Sequence, residues 1–131
     1  MTETKKTPIE RVKRRIASRI ESLTVQTDEY SKYISTDYLH FFEVNAGVVY
    51  ALHYELRELT RYMEDLEGLT LDEAVGMTVL RHQKYVADLL ERPLTRHSTN
   101  AFANIAHSIE LAVKQSLVHR FDGLIAILTE E

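Results

Sequence analysis

The chain has no cysteine and no tryptophan, and only two prolines and four glycines among its 131 residues. The lack of cysteine excludes disulfides, thiolate metal ligands and a cysteine nucleophile, and it is consistent with a cytoplasmic protein. The sequence also lacks an apolar run long enough for a signal peptide or a membrane span. We therefore expect a soluble, cytoplasmic protein that does not bind membranes. So few helix-breaking residues predict long helices with short connections.

The first helix has three agreeing start signals. Thr7 and Glu10 have the spacing of a capping box, and Pro8 occupies the first helical position. Apolar residues then recur every three or four positions, which predicts one buried stripe on a helix that ends near Gln26. A short helical turn is expected over residues 28–34.

The longest periodic stretch runs from residue 36 to residue 67, where apolar residues again step by three or four. Asn45, Ala46 and Gly47 mark a kink or a break in this stretch. Gly68 is predicted to cap its end. If the stretch were one helix it would extend about 48 Å, whereas a compact chain of this size measures only about 36 Å across.

Two further helices are predicted in the second half of the chain. Thr70 and Glu73 have the spacing of a second capping box, and the helix that they open is expected to stop before Pro93. Its predicted apolar stripe includes Leu71, Ala74, Val75, Val79, Leu80, Val86, Leu89 and Leu90. The last helix is predicted to be capped by Ser98, Thr99 or Asn100.

These patterns predict an all-α fold, a four- to five-helix bundle with one or two long helices, formed as a single domain over residues 1–131. A long helix that overhangs a small globule needs a cover for its apolar side chains, and a second copy of the chain would supply it. We therefore expect a homodimer or a larger homo-oligomer. The residues expected to mediate self-association, with coiled-coil-like spacing and tyrosine-rich composition, are Tyr50, Leu52, Tyr54, Leu56, Leu59 and Met63.

Charge is distributed unevenly along the chain. Residues 1–19 carry seven Lys or Arg against two Glu, a net charge of +5, whereas the whole chain carries −4. A basic N-terminal helix (residues 1–26) is therefore attached to an acidic helical body (residues 28–131), which indicates an element that contacts nucleic acid or an acidic protein partner. The basic residues expected to make these contacts are Lys5, Lys6, Arg11, Arg14, Arg15 and Arg19.

One short pattern suggests an enzyme instead. Arg92 and His97 form an Arg-x4-His sequence before the last predicted helix. This pattern resembles the motif of HEPN domains, which are all-helical dimers. The resemblance implies a metal-independent ribonuclease, with His97 as general acid or base and Arg92 stabilising the charge of the phosphorane.

A second pattern suggests phosphotransfer. The segment around His107 resembles the phosphoacceptor segment of histidine phosphotransfer domains, which are helical bundles of similar length. The family has Lys three residues after its histidine, and this chain has Glu110 there. The structural interpretation is a solvent-facing His107 paired with Glu110 one turn on.

No pattern predicts a metal or cofactor site. His40 with Glu43, and His107 with Glu110, each place one imidazole and one carboxylate on a helix face, which is too few ligands. Glu55, Glu58, Arg57 and Arg61 are interpreted as the solvent face of a helix. The sequence therefore favours a non-enzymatic helical interaction protein, an adaptor, regulatory or assembly subunit.

Overall fold

The computed structural model describes residues 7–32, 37, 39, 41–95 and 101–130. Within these residues all regular structure is helical, with four α-helices and no strand. The prediction of an all-α bundle is confirmed. Lys5 and Lys6 lie outside the described residues.

The four helices are 21 to 28 residues long, and one π-helical turn precedes the second of them. Their bounds are α1 Pro8–Ser31, the π turn Phe41–Asn45, α2 Ala46–Leu66, α3 Leu71–Thr95 and α4 Ala101–Leu128.

The predicted start of α1 is confirmed and its predicted end is wrong. The Thr7 hydroxyl accepts from the Glu10 amide at 3.1 Å, and the Glu10 carboxylate accepts from the Thr7 amide at 3.0 Å. The helix continues past Gln26 to Ser31. Nothing in this segment breaks a helix, and Thr27 extends the buried stripe by one more turn.

The π turn lies where the sequence predicts a kink or a break, but it does not interrupt the helix: Asn45 has right-handed helical dihedral angles and leads directly into the 21 residues of α2, about 32 Å. The π turn extends this helical backbone toward the N-terminus. The helix ends where Gly68 adopts a φ of +77°, a conformation that glycine adopts without the penalty of a Cβ.

The second capping box is confirmed at the start of α3, where the Thr70 amide donates to Glu73 at 2.9 Å and the Glu73 amide donates to Thr70 at 3.2 Å. The predicted stop before Pro93 is wrong, because α3 runs on to Thr95. A proline this close to a helix end removes a single backbone hydrogen bond from the last turn.

The predicted buried face of α3 is correct only in part. Ala74 is buried and Val75 packs partly buried against the core, but Leu71, Leu80 and Leu90 are 42%, 67% and 75% exposed. Thr78 and Tyr85, which lie outside the predicted stripe, are buried. Polar residues are tolerated on the buried face because the Thr78 hydroxyl donates to the Ala74 carbonyl at 2.7 Å, and burial is inexpensive for a satisfied hydroxyl.

Helix α4 lies at the centre of the bundle and packs against each of the other three helices. The Phe121 side chain of α4 is fully buried. The centre of its ring lies 4.8 Å from the ring centre of Tyr62 on α2 and 5.6 Å from that of Tyr85 on α3. The core of the bundle consists mainly of Val12, Ile16, Leu23, Leu52, Leu59, Tyr62, Leu66, Leu117, Phe121, Leu124 and Leu128.

Candidate functional site

A cleft of about 550 Å³ between α1 and α4 is lined almost entirely by arginine. We call it the arginine cleft. Its described lining residues carry five guanidinium groups and two hydroxyls and include no carboxylate. They are Arg11, Arg14, Arg15, Ser18, Arg19, Ser22 and Arg120.

Glu55, a buried carboxylate of α2, holds two of these arginines in place. Arg19 donates to both carboxylate oxygens of Glu55, from Nε and Nη2, at 2.9 Å each. Arg120 approaches the same carboxylate from α4, with Nε 3.7 Å from Oε2. The hydrogen bonds from Arg19 raise the pKa of its guanidinium, whereas burial and the neighbouring charge of Arg19 lower the pKa of Arg120. One carboxylate thus ties α1, α2 and α4 together.

Two arginines of the cleft have no such tie. Arg14 and Arg15 are exposed and form no ion pair with the residues that the structure describes, whereas Arg11 pairs with Glu130 at 2.7 Å. Arg15 lies across the cleft against α4, with Nη1 3.8 Å from the position that a Cβ on Gly123 would occupy. Arg14 and Arg15 therefore present free guanidinium donors beside the two arginines that Glu55 orients.

The cleft can bind anions through directed hydrogen bonds as well as through charge. A guanidinium offers a fork of donors that matches phosphate and carboxylate oxygens. Ser22 accepts from the Gln26 side chain at 3.0 Å, which leaves its own hydroxyl proton able to donate. No aromatic side chain is among the described residues that line the cleft. The site therefore suits a ligand that presents oxyanions along a backbone.

The sequence located four of the five cleft arginines and missed Arg120. Arg120 lies on the last helix, 101 positions after Arg19, and no local pattern marks it; only the packing of α4 on α1 brings them together. The interpretation of Glu55 as a solvent-face residue is wrong, because this residue is only 7% exposed and pairs with Arg19. On the same helix, Nη1 of Arg61 lies 4.0 Å from a carboxylate oxygen of Glu58.

Most residues predicted to mediate self-association contribute to the bundle itself. Leu59 is fully buried and Leu52 and Tyr54 nearly so, while Leu56 and Met63 pack partly buried against the same core. Tyr50, 38% exposed, is the most accessible of the set. The cover that these side chains require is therefore supplied by α1 and α4 of the same chain.

The Arg-x4-His pattern falls largely outside the described residues. The backbone of Arg92 belongs to α3, but its side chain and the whole of His97 are not described. The predicted ribonuclease site stays a prediction.

His107 is half-buried, and its predicted partner is engaged elsewhere. The Tyr50 hydroxyl donates to Glu110, and this hydrogen bond raises the pKa of Tyr50. The Nε2 atom of His107 is buried and has no hydrogen-bond partner among the described residues. The predicted pairing of His107 with Glu110 is therefore replaced by a contact between α2 and α4.

Among the described residues, no group of three or more histidine and carboxylate side chains is placed to hold a metal ion. Over the same part of the chain, no helix combines the length and apolar character needed to cross a membrane. Comparison with known protein families, with curated proteins and with solved structures finds no match.

Proposed function

We propose that this chain is a non-catalytic binding protein whose arginine cleft holds the phosphate backbone of a nucleic acid. The observation that carries the proposal is the cleft itself: five arginines from two helices line one concave surface, and no described lining residue is acidic. Arg14 and Arg15 supply the charge that no internal carboxylate neutralises.

The spacing of the arginines on α1 suits a phosphate backbone. Arg11, Arg15 and Arg19 follow one another at four-residue intervals on one helix face. They extend over about 12 Å of helix, and one DNA strand presents a phosphate about every 3.4 Å along the axis. With α1 laid along the duplex axis, three to four phosphates of one strand would fall within the span of these side chains.

The chemistry favours a duplex over a single strand. Single-strand binding relies on aromatic side chains on which bases stack, and the described residues of the cleft offer none. Contacts to phosphate groups fix the position of a protein on a duplex but do not distinguish one base sequence from another. We therefore expect binding that depends on salt and is indifferent to sequence.

The double variant Arg14→Gln, Arg15→Gln tests this function. Both side chains are exposed and unpaired, so the variant should fold normally and bind a mixed-sequence DNA duplex about 10- to 100-fold more weakly. The slope of log affinity against log salt concentration should become shallower by about two. Fluorescence anisotropy across a salt series measures both quantities.

The matched control removes two positive charges outside the cleft, one on α1 and one at the residue that follows it. Lys13 pairs with Glu67 at 3.1 Å, and Lys32 pairs with Glu29 at 3.5 Å. The variant Lys13→Gln, Lys32→Gln should keep most of the affinity. Equal losses in the two variants, or no duplex binding by the wild type even at low salt, would reject a nucleic-acid site and favour an acidic protein partner.

Self-association is the second part of the proposal, and exposed apolar side chains support it. Leu80 and Leu90 project from α3 within an arc of about 80° at 100° per residue, and both are more than two-thirds exposed. They lie about 15 Å apart along the helix axis, and an interface that covered both would remove apolar surface from water that a single chain leaves exposed.

We expect light scattering at micromolar concentration to give a mass above the 15.2 kDa of one chain. The variant Leu90→Gln should shift that mass toward the single chain. A wild-type protein that is folded and has the mass of one chain would contradict self-association.

A further inference from the structure

A second basic concavity, separate from the arginine cleft, opens between α2 and α3. This groove measures about 540 Å³, a size within the range of small-molecule sites. Cationic side chains from three helices line it, namely Arg57, Arg61, Arg81, Lys84 and Lys114. Among the described residues that line it, two are carboxylates, Glu58 and Asp88.

The floor of the groove is built from one buried and several half-buried polar side chains that already have hydrogen-bond or ion-pair partners. Tyr85, 3% exposed, donates its hydroxyl proton to Glu58 at 2.7 Å. Lys114 lies 2.9 Å from Asp88. Burial lowers the pKa of Lys114, but its hydrogen bonds to Asp88 and Tyr54 outweigh burial, so the pKa lies above its ordinary value. The floor is thus preformed, with a lysine that stays charged at neutral pH.

The rim of the groove, in contrast, has spare cationic donors. Arg57 and Arg61 are more than half exposed and share the single carboxylate of Glu58, at 3.7 and 4.0 Å, beyond hydrogen-bond distance. Lys84, on the opposite side, is exposed and forms no ion pair with the described residues. Charge on both sides of the groove is therefore only loosely neutralised.

Two aromatic contacts orient the arginines. The guanidinium carbon of Arg57 lies 5.0 Å from the centre of the Tyr54 ring, and that of Arg81 lies 5.6 Å from the centre of the Tyr62 ring. Contacts of this kind restrain a long side chain without using its hydrogen-bond donors. Arg81 also pairs with Asp65. The donors of Arg57 are therefore held in place and available.

We propose that the groove between α2 and α3 binds a small ligand that carries two or more linked phosphate groups. Because Arg57 and Arg61 lie on α2 and Lys84 lies on α3, we expect a chain of phosphates to engage both sides of the groove and a single phosphate to engage fewer of these groups. Arginine supplies paired donors to each phosphate, and lysine adds a point charge. Met77 and Leu80 line the groove as well and offer an apolar contact to whatever the phosphates are attached to.

The test uses the full chain at constant ionic strength, with inorganic phosphate, pyrophosphate, tripolyphosphate and ATP as separate probes. Calorimetry should show affinity rising from phosphate to tripolyphosphate, and saturating tripolyphosphate should raise the melting temperature by about 5 °C or more. ATP that binds as tightly as tripolyphosphate supports a ligand in which a nucleoside carries the phosphates. Weaker binding of ATP supports a free oligophosphate. Equal responses to all four probes and to sulfate would overturn the proposal.

Variants locate the binding. The variant Arg61→Gln, Lys84→Gln should lower tripolyphosphate affinity at least about tenfold, while its melting temperature without ligand stays close to that of the wild type. If this variant does not fold, Lys84→Gln alone, at an exposed and unpaired position, makes the same test. The variant Arg14→Gln, Arg15→Gln should bind tripolyphosphate as the wild type does. If the variant Arg14→Gln, Arg15→Gln lost tripolyphosphate binding and the variant Arg61→Gln, Lys84→Gln kept it, the phosphate would bind in the arginine cleft and the proposal would be overturned.

Discussion

Replacing Phe121 with alanine should lower the free energy of unfolding by about 3–5 kcal/mol. The ring is fully buried and contacts the rings of Tyr62 and Tyr85, so it joins α4 to both α2 and α3. Alanine removes these contacts and leaves a cavity where three helices meet. Urea denaturation followed by circular dichroism measures the loss, which is a large part of the stability of a domain this size.

Ile105→Ala is the control for this prediction. It also shortens an apolar side chain on α4, but Ile105 is 56% exposed, so its effect should stay within about 0.5 kcal/mol. A loss below about 1 kcal/mol for Phe121→Ala would contradict the packing of the three rings, since a fully buried ring costs more than that to remove.

Glu55→Gln should have two effects of opposite sign. Stability should fall by about 1–3 kcal/mol, because Arg19 and Arg120 lose the negative charge of their shared, buried partner. Duplex DNA affinity should rise severalfold, because the arginine cleft gains one uncompensated positive charge. Thermal unfolding and the anisotropy salt series measure the two effects on the same preparation.

A surface carboxylate on the same helical hairpin separates these effects from a simple change in net charge. Glu67 pairs with Lys13, and its side chain is 74% exposed. Glu67→Gln should change stability by less than about 1 kcal/mol and should leave the salt dependence of DNA binding unchanged. If Glu55→Gln lowers both stability and DNA affinity, the main effect of Glu55 on DNA binding is to hold Arg19 in place, and its neutralisation of the Arg19 charge is the smaller effect.

Features determined by residues three or four apart could be predicted from the sequence. Two capping boxes, at Thr7 and Thr70, and the positive φ of Gly68 after α2 each depend on residues that are close in sequence. All three are present. The end of α1 was harder to predict, because residues after Gln26 permit a helix without requiring one.

The buried face of α3 could be read only in part from apolar spacing. Leucines occur on more than one of its faces, and which face is buried depends on where α4 and α2 lie. Thr78 is accommodated on the buried face beside Ala74 because its hydroxyl lies 2.8 Å from that of Tyr62. The role of Glu55 was hidden for the same reason, since Arg19 and Arg120 meet it only after three helices have packed.

The contrast between capped and uncapped helix starts bears on the order in which this chain folds. The first turns of α1 and α3 are closed by side chains three residues away, so contacts local in sequence favour these two helix starts. The first turn of α2 follows a π turn, and Asn45 makes no side-chain capping bond there. The start of α2 therefore rests on the π turn before it and on packing against α1 and α4, and we expect it to form late in folding and to open early in local unfolding.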